Sequence, residues 1–179
     1  MIKYRDRIKD LLLLVGYVAL IYLTLPVAPL ASSFLLKFFS RSQLGILMNV
    51  FVVLAVIYPF LMFYRLTWQR KVWPLFGFTL ILLIYAIILY LTPIAAEKIH
   101  LIEYGFLSLL SLRLVREAPS RIARYAFVVL IVAVVGCLDE TIQWFLPNRV
   151  GEVRDAFLNI VSGLLGLALL WISGWEKEK

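Results

Sequence analysis

Four short polar groups in the second half of the chain carry residue types that could do acid–base or binding chemistry. The first is Lys98, His100, Glu103 and Tyr104. His100 is the chain's single histidine; it is spaced i, i+4 from Tyr104, so the two share a helical face that Glu103 borders. The second is Asp139, Glu140 and Gln143, where two adjacent carboxylates follow an apolar run from residue 126 to 138. The third is the turn from Pro147 to Gly151, which carries Arg149. The fourth is Asp155 and Asn159, again i, i+4. An imidazole beside carboxylates suits general acid–base work. A guanidinium matches carboxylate or phosphate in two-pronged geometry. Buried amides and phenols hold the polar remainder of a ligand.

Each group also has a plainer explanation. His100 could snorkel to the headgroup level, the acids could be solvated, Arg149 could form a structural ion pair with Asp139 or Glu140, and Asp155 could complement a helix dipole. None of these covers Asn159, which lies a turn deeper among Phe157, Leu158, Ile160 and Val161. The small residues Ser162, Gly163 and Gly166 read as helix-packing positions.

The surrounding chain dictates where these groups sit. It is 63% hydrophobic over 179 residues, with a mean hydropathy of +0.94. Charge is absent from Leu11 to Leu36, from Ser42 to Tyr64 and from Val72 to Ala96. Each run is long enough to cross a hydrocarbon core of about 30 Å. Without water the backbone must bond internally, which makes such runs helices, and the alternation of a membrane barrel is absent. The expected fold is all-α: a single membrane domain over residues 1–179, a bundle of about six transmembrane helices. The spans fall near Ile8 to Leu25, Gln43 to Tyr64, Trp73 to Leu91, Ala96 to Val115, Arg121 to Phe145 and Asp155 to Trp175. Pro26 and Pro29 end the first, which reads as retained rather than cleaved; residues 26–41 form a re-entrant or interfacial segment, and Pro59 kinks the second span.

Basic clusters at Lys3 to Lys9, Arg65 to Lys71, Arg113 to Arg124, and Lys177 with Lys179 fall on one side of this arrangement. Only Lys37, Arg41, Lys98, Arg149 and Arg154 fall on the other. The bias puts both termini in the cytoplasm and all four polar groups at the extracytoplasmic face. It also accounts for the net charge of +7 without nucleic acid. The lone Cys137 excludes an internal disulfide and a cysteine-based metal site.

With these residues in order, the chain resembles the VanZ-like family of bacterial integral membrane proteins. The resemblance spans about residues 98–170. It rests on Lys98-x-His100 with Glu103-Tyr104, Asp139-Glu140-x-x-Gln143, Pro147-x-Arg149, and Asp155-x-x-x-Asn159-x-x-x-Gly163-x-x-Gly166. Glu152 departs from the small polar residue expected close to Arg149, and residues 1–97 match only in hydrophobicity. The resemblance implies a cell-envelope role in the bacterial cytoplasmic membrane and, from the teicoplanin-resistance protein behind the name, a link to glycopeptide resistance. It implies no particular reaction.

Three functions compete. The first is binding of an anionic envelope ligand: a membrane lipid headgroup, a lipid-linked sugar or a glycopeptide. Lys98, Glu103, Tyr104, Gln143, Arg149, Asp155 and Asn159 would then line the site. The second is an enzyme acting on such a lipid, with His100, Glu140 and Asp139 in the catalytic roles and water as the default nucleophile. The third is a small transporter with Asp139, Glu140 and His100 as a proton relay, which the one-sided placement of the charges disfavours. No cofactor is expected, and one histidine at these spacings is a weak metal signal, so no metal is expected either.

Overall fold

The computed structural model describes residues 2–66, 73–147 and 149–173, with side chains from residue 6 and excluding 63–66. Lys3, Arg5 and Arg65 as side chains, and Arg70, Lys71, Asn148, Lys177 and Lys179 altogether, lie outside the described residues. So does part of the charge bias read from the sequence.

Every element among the described residues is a helix. They are α1 (Ile2–Thr24), α2 (Ala28–Leu35), α3 (Arg41–Leu66), α4 (Trp73–Leu91), α5 (Ile99–Leu114), α6 (Arg121–Phe145) and α7 (Val153–Ser173). Helices α3, α4, α6 and α7 are long and apolar enough to cross a membrane. Helices α1 and α2 form one bent pair, turned by 56° where the chain passes Pro26. Pro29 sits in the first turn of α2, where its missing N–H is harmless. Helix α2 buries none of its residues. Helix α3 continues through Pro59, which removes one backbone donor from its interior.

The fourth expected span differs most from the sequence reading. Residues 95–98 form a turn, and α5 has only 16 residues. Such a helix is about 24 Å long, short of the hydrocarbon thickness. Among the described residues it is nonetheless central. Helix α5 packs against α1, α3, α6 and α7, and its pairing with α7 is the most extensive in the bundle. Half of the α7 span is buried, against 22% of α3 and α4. The outer helices turn large apolar side chains outward, including Leu12, Leu23, Phe51, Leu83 and Leu130. That is the pattern of a bundle whose solvent is lipid.

Two apolar cores flank the α5–α7 axis. One gathers Leu14, Leu107, Val128, Val132 and Leu170 from α1, α5, α6 and α7. The other gathers Val52, Phe60, Ile81, Tyr85 and Leu165 from α3, α4 and α7 with Leu101 of α5. Between α5 and α7 the backbones nearly touch: a β-carbon at Gly166 would lie 2.6 Å from the Cα of Gly105. Beside that crossing, Ser108 Oγ donates to the Gly163 carbonyl at 2.7 Å. Small residues permit this approach, and the hydrogen bond fixes its register. Helix α1 is tied on by polar contacts as well. Tyr17 donates to the Glu103 carbonyl, Tyr22 to the Val135 carbonyl, and Arg113 pairs with the buried Asp10 at 3.0 Å.

The crossing makes a direct prediction. Gly166→Ala should destabilise the bundle by about 1–3 kcal/mol through overpacking. Gly16→Ala, where a β-carbon meets nothing within 4 Å, should be neutral or slightly stabilising. Thermal unfolding of the two variants in detergent checks the contrast.

Candidate functional site

The amino-terminal ends of α5 and α7 and the carboxy-terminal end of α6 meet at one end of the bundle. Their polar side chains meet with them. Asp139 is fully buried and is the hub. Tyr104 Oη donates to its Oδ2 at 2.7 Å, and Gln143 Nε2 donates to its Oδ1 at 3.1 Å. The same Gln143 nitrogen donates to Glu140 Oε1 at 3.1 Å, so one amide bridges the two neighbouring carboxylates. The other Glu140 oxygen accepts from the backbone N–H of Glu152 at 3.1 Å, which holds the turn before α7 against α6.

His100 faces this pair. Its Nδ1 lies 3.8 Å from Asp139 Oδ2 and 3.5 Å from Glu103 Oε2. The ring is only 3% exposed, and Nδ1 has no hydrogen-bond partner among the described residues. One ligating atom each from His100, Asp139 and Glu140 can be chosen so that all three lie within 4.8 Å of one another.

Asn159 sits beside the hub rather than in it. It is fully buried, and neither Oδ1 nor Nδ2 has a hydrogen-bond partner among the described residues. It packs where α6 presents Gly136: a β-carbon there would lie 3.0 Å from Asn159 Cβ and 3.4 Å from the Tyr104 ring. The glycine keeps α6 close enough for the amide and the phenol to share one compartment.

The cations divide into two kinds. Arg154 is matched: it reaches Glu97 Oε2 at 2.6 Å and Asp155 Oδ1 at 3.2 Å, with Glu152 at 3.9 Å. Burial, more than its acidic neighbour Asp155, holds the Glu97 carboxyl above its ordinary range, and Arg154 opposes this. Lys98 and Arg149 have no carboxylate within ion-pair distance among the described residues. The Lys98 side chain is buried and donates to Asn49 Oδ1 at 2.6 Å, and burial pushes its ammonium pKa down. Arg149 is half-buried, with Nε lacking a hydrogen-bond partner.

Of the residues singled out from sequence, His100, Glu103, Tyr104, Asp139, Glu140 and Gln143 thus lie in one connected cluster, with Asn159 against it. Asp155 belongs to the neighbouring Arg154–Glu97 network. Lys98 turns to α3. The structural ion pair considered for Arg149 is absent: Glu140 is held instead by the Glu152 backbone. Sequence reasoning missed Asn49, Glu97 and Arg154. Asn49 had a legible signal, an amide in a charge-free apolar run. Glu97 and Arg154 are joined only by the fold.

An amide buried without partners weakens a fold unless something else uses it. Asn159→Leu should therefore leave thermal stability in detergent unchanged or raised, although it removes two polar atoms beside the polar cluster. A clear drop in the unfolding temperature would mean that the amide is already satisfied.

The VanZ/LLP1 family model matches residues 11–174. The match covers most of the chain and reaches well before residue 98, taking in the amino-terminal helices for which sequence alone offered only hydrophobicity. Nothing among the curated proteins or the solved structures matches the chain. The chain, a multi-pass helical membrane protein by its spans, belongs to the VanZ/LLP1 family.

Proposed function

We propose that this protein binds an anionic envelope ligand at the polar end of α5, α6 and α7, with Lys98 and Arg149 meeting its phosphate or carboxylate. The observation that carries this reading is the division among the cations. Arg154 is neutralised by acids, whereas Lys98 and Arg149 stand without an acidic partner among the described residues. A buried ammonium with only a neutral amide beside it is costly, and an anion relieves that cost. Gln143, Tyr104, Asn159, Asp155 and Glu103 supply hydrogen-bonding groups for the rest of the ligand.

In this reading residues 1–179 form one membrane domain that crosses the bacterial cytoplasmic membrane six times with both termini inside. The bent α1–α2 pair and the short α5 complete the count. The site then faces outward, where lipid headgroups, lipid-linked sugars and glycopeptides are found, and a contribution to glycopeptide resistance follows as an extension. Catalysis is the second reading. It is favoured by the placement of His100 between Glu103 and Asp139, with water as nucleophile. Transport is not supported by the Asp10–Arg113 pair, an acid–base contact at the opposite end of α5, because each partner neutralises the other.

Binding of phosphatidylglycerol, with phosphatidylcholine as the neutral comparison, to purified protein tests the proposal. Lys98→Gln and Arg149→Gln should each weaken binding of the anionic lipid about tenfold or more, the worth of a charged hydrogen bond. Equal affinity for the two lipids, or no change in either variant, contradicts it. His100→Ala should leave this binding intact while abolishing any turnover if the catalytic reading is correct.

The outward orientation has its own test. In a Cys137→Ser background, a cysteine at Glu152 should react with a membrane-impermeant thiol reagent added to intact cells, and one at Glu117 should not. The reverse pattern contradicts the topology.

A further inference from the structure

The cluster poses an electrostatic problem that its own hydrogen bonds do not solve. Asp139 and Glu140 are adjacent carboxylates, 0% and 7% exposed, and one Gln143 amide serves both. A group close by that can carry a positive charge is His100, whose buried Nδ1 lies 3.5 Å from Glu103 Oε2 and 3.8 Å from Asp139 Oδ2 and hydrogen-bonds to neither. Arg149, the closest cation in sequence to the two carboxylates, pairs with neither among the described residues, and Lys98 and Arg154 are engaged with Asn49 and with Glu97 and Asp155. Two buried carboxylates beside a buried imidazole nitrogen that hydrogen-bonds to neither form a donor set suited to a cation.

We propose that His100, Asp139 and Glu140 hold a divalent transition-metal ion at the polar end of the α5–α6–α7 bundle. One atom from each lies within 4.8 Å of the others. Tetrahedral ligands bonded at about 2.0–2.2 Å lie about 3.3–3.6 Å apart, so side-chain shifts of about an ångström close the site. The charge balances: two carboxylates and a neutral imidazole against a 2+ ion. The donor set of one nitrogen and two oxygens suits a borderline ion such as Zn2+ or Mn2+ better than Ca2+, which takes six to eight oxygens. The contacts around the three ligands are of the kind that orient metal ligands. Tyr104 fixes Asp139, Gln143 fixes both carboxylates, and the Glu152 N–H fixes Glu140. Three protein ligands leave a coordination position free for water or for an oxygen of a bound molecule. The ion site stands apart from the anion-binding reading above, because Lys98 and Arg149 are not among its ligands.

Metal analysis of the full-length chain tests this directly. Protein purified in detergent and stripped with a chelator is loaded with Zn2+, or in parallel Mn2+, then desalted and analysed. About one equivalent per chain is expected to remain. Co2+ loaded in place of Zn2+ should give the intense visible bands of a four- or five-coordinate ion, a readout that needs no variant. His100→Ala and Glu140→Gln should lose the retained ion. Tyr104→Phe, a change in a positioning residue, should still reach full occupancy with affinity lowered about 10–100-fold. Lys98→Gln and Arg149→Gln should hold metal like the wild type, which separates this proposal from the lipid-binding one. Wild-type protein that retains no metal after desalting, a purely octahedral aquo-type Co2+ spectrum, or undiminished occupancy in His100→Ala overturns it.

Discussion

Asp139 is a carboxylate with no exposed surface, on a helix long and apolar enough to cross a membrane. A charge or even a neutral acid at such a place is costly unless its oxygens are met, because lipid offers no hydrogen bonds. Much of the arrangement at this end of the bundle follows from meeting them. Tyr104 must come from α5 to donate to Oδ2, and Gln143 must turn along α6 to donate to Oδ1. For Tyr104 to reach across, α5 must lie against α6, and the small residues on α7 let both helices approach. The interhelical Ser108–Gly163 bond and the Gly105–Gly166 contact hold that approach a turn further down.

The short central helix fits this scheme. At about 24 Å, α5 cannot present both of its ends to water across a hydrocarbon core of about 30 Å. Its polar first turn must be covered by protein, and Lys98, His100 and Tyr104 are all buried. The longer α6 and α7 bring their own polar residues to the same level, so the cluster is roofed by the turn between them. The Glu152 N–H bond to Glu140 is the link that closes that roof. The polar groups of three helices thereby exclude lipid from one another, and this makes it possible to bury so many of them.

The periodic, long-range part of this picture is legible in the sequence. Helices at Trp73–Leu91 and Arg121–Phe145 fall where charge-free runs and flanking residues place them, and the i, i+4 spacings correctly put His100 with Tyr104 and Asp139 with Gln143 on common faces. What is not legible depends on neighbours. The shortening of α5 from Ala96–Val115 to Ile99–Leu114 comes from the turn at residues 95–98, which no proline or glycine within it marks. Arg149 and Arg154 have the same chemistry and lie five residues apart. Which of them meets the acids is decided by the path of the turn into α7, and this path favours Arg154. The meeting of His100, Asp139 and Glu140 is likewise a product of packing: His100 is separated from Asp139 by most of two helices, and one histidine among scattered acids carries no motif.

A double-mutant cycle between Tyr104→Phe and Asp139→Ala, read by unfolding of metal-free protein in detergent, measures the central contact directly. A buried charge-assisted bond across α5 and α6 predicts a coupling energy of about 0.5–3 kcal/mol. Additivity of the two substitutions within about 0.3 kcal/mol would mean that phenol and carboxylate do not meet, and the shared polar cluster would lose its foundation.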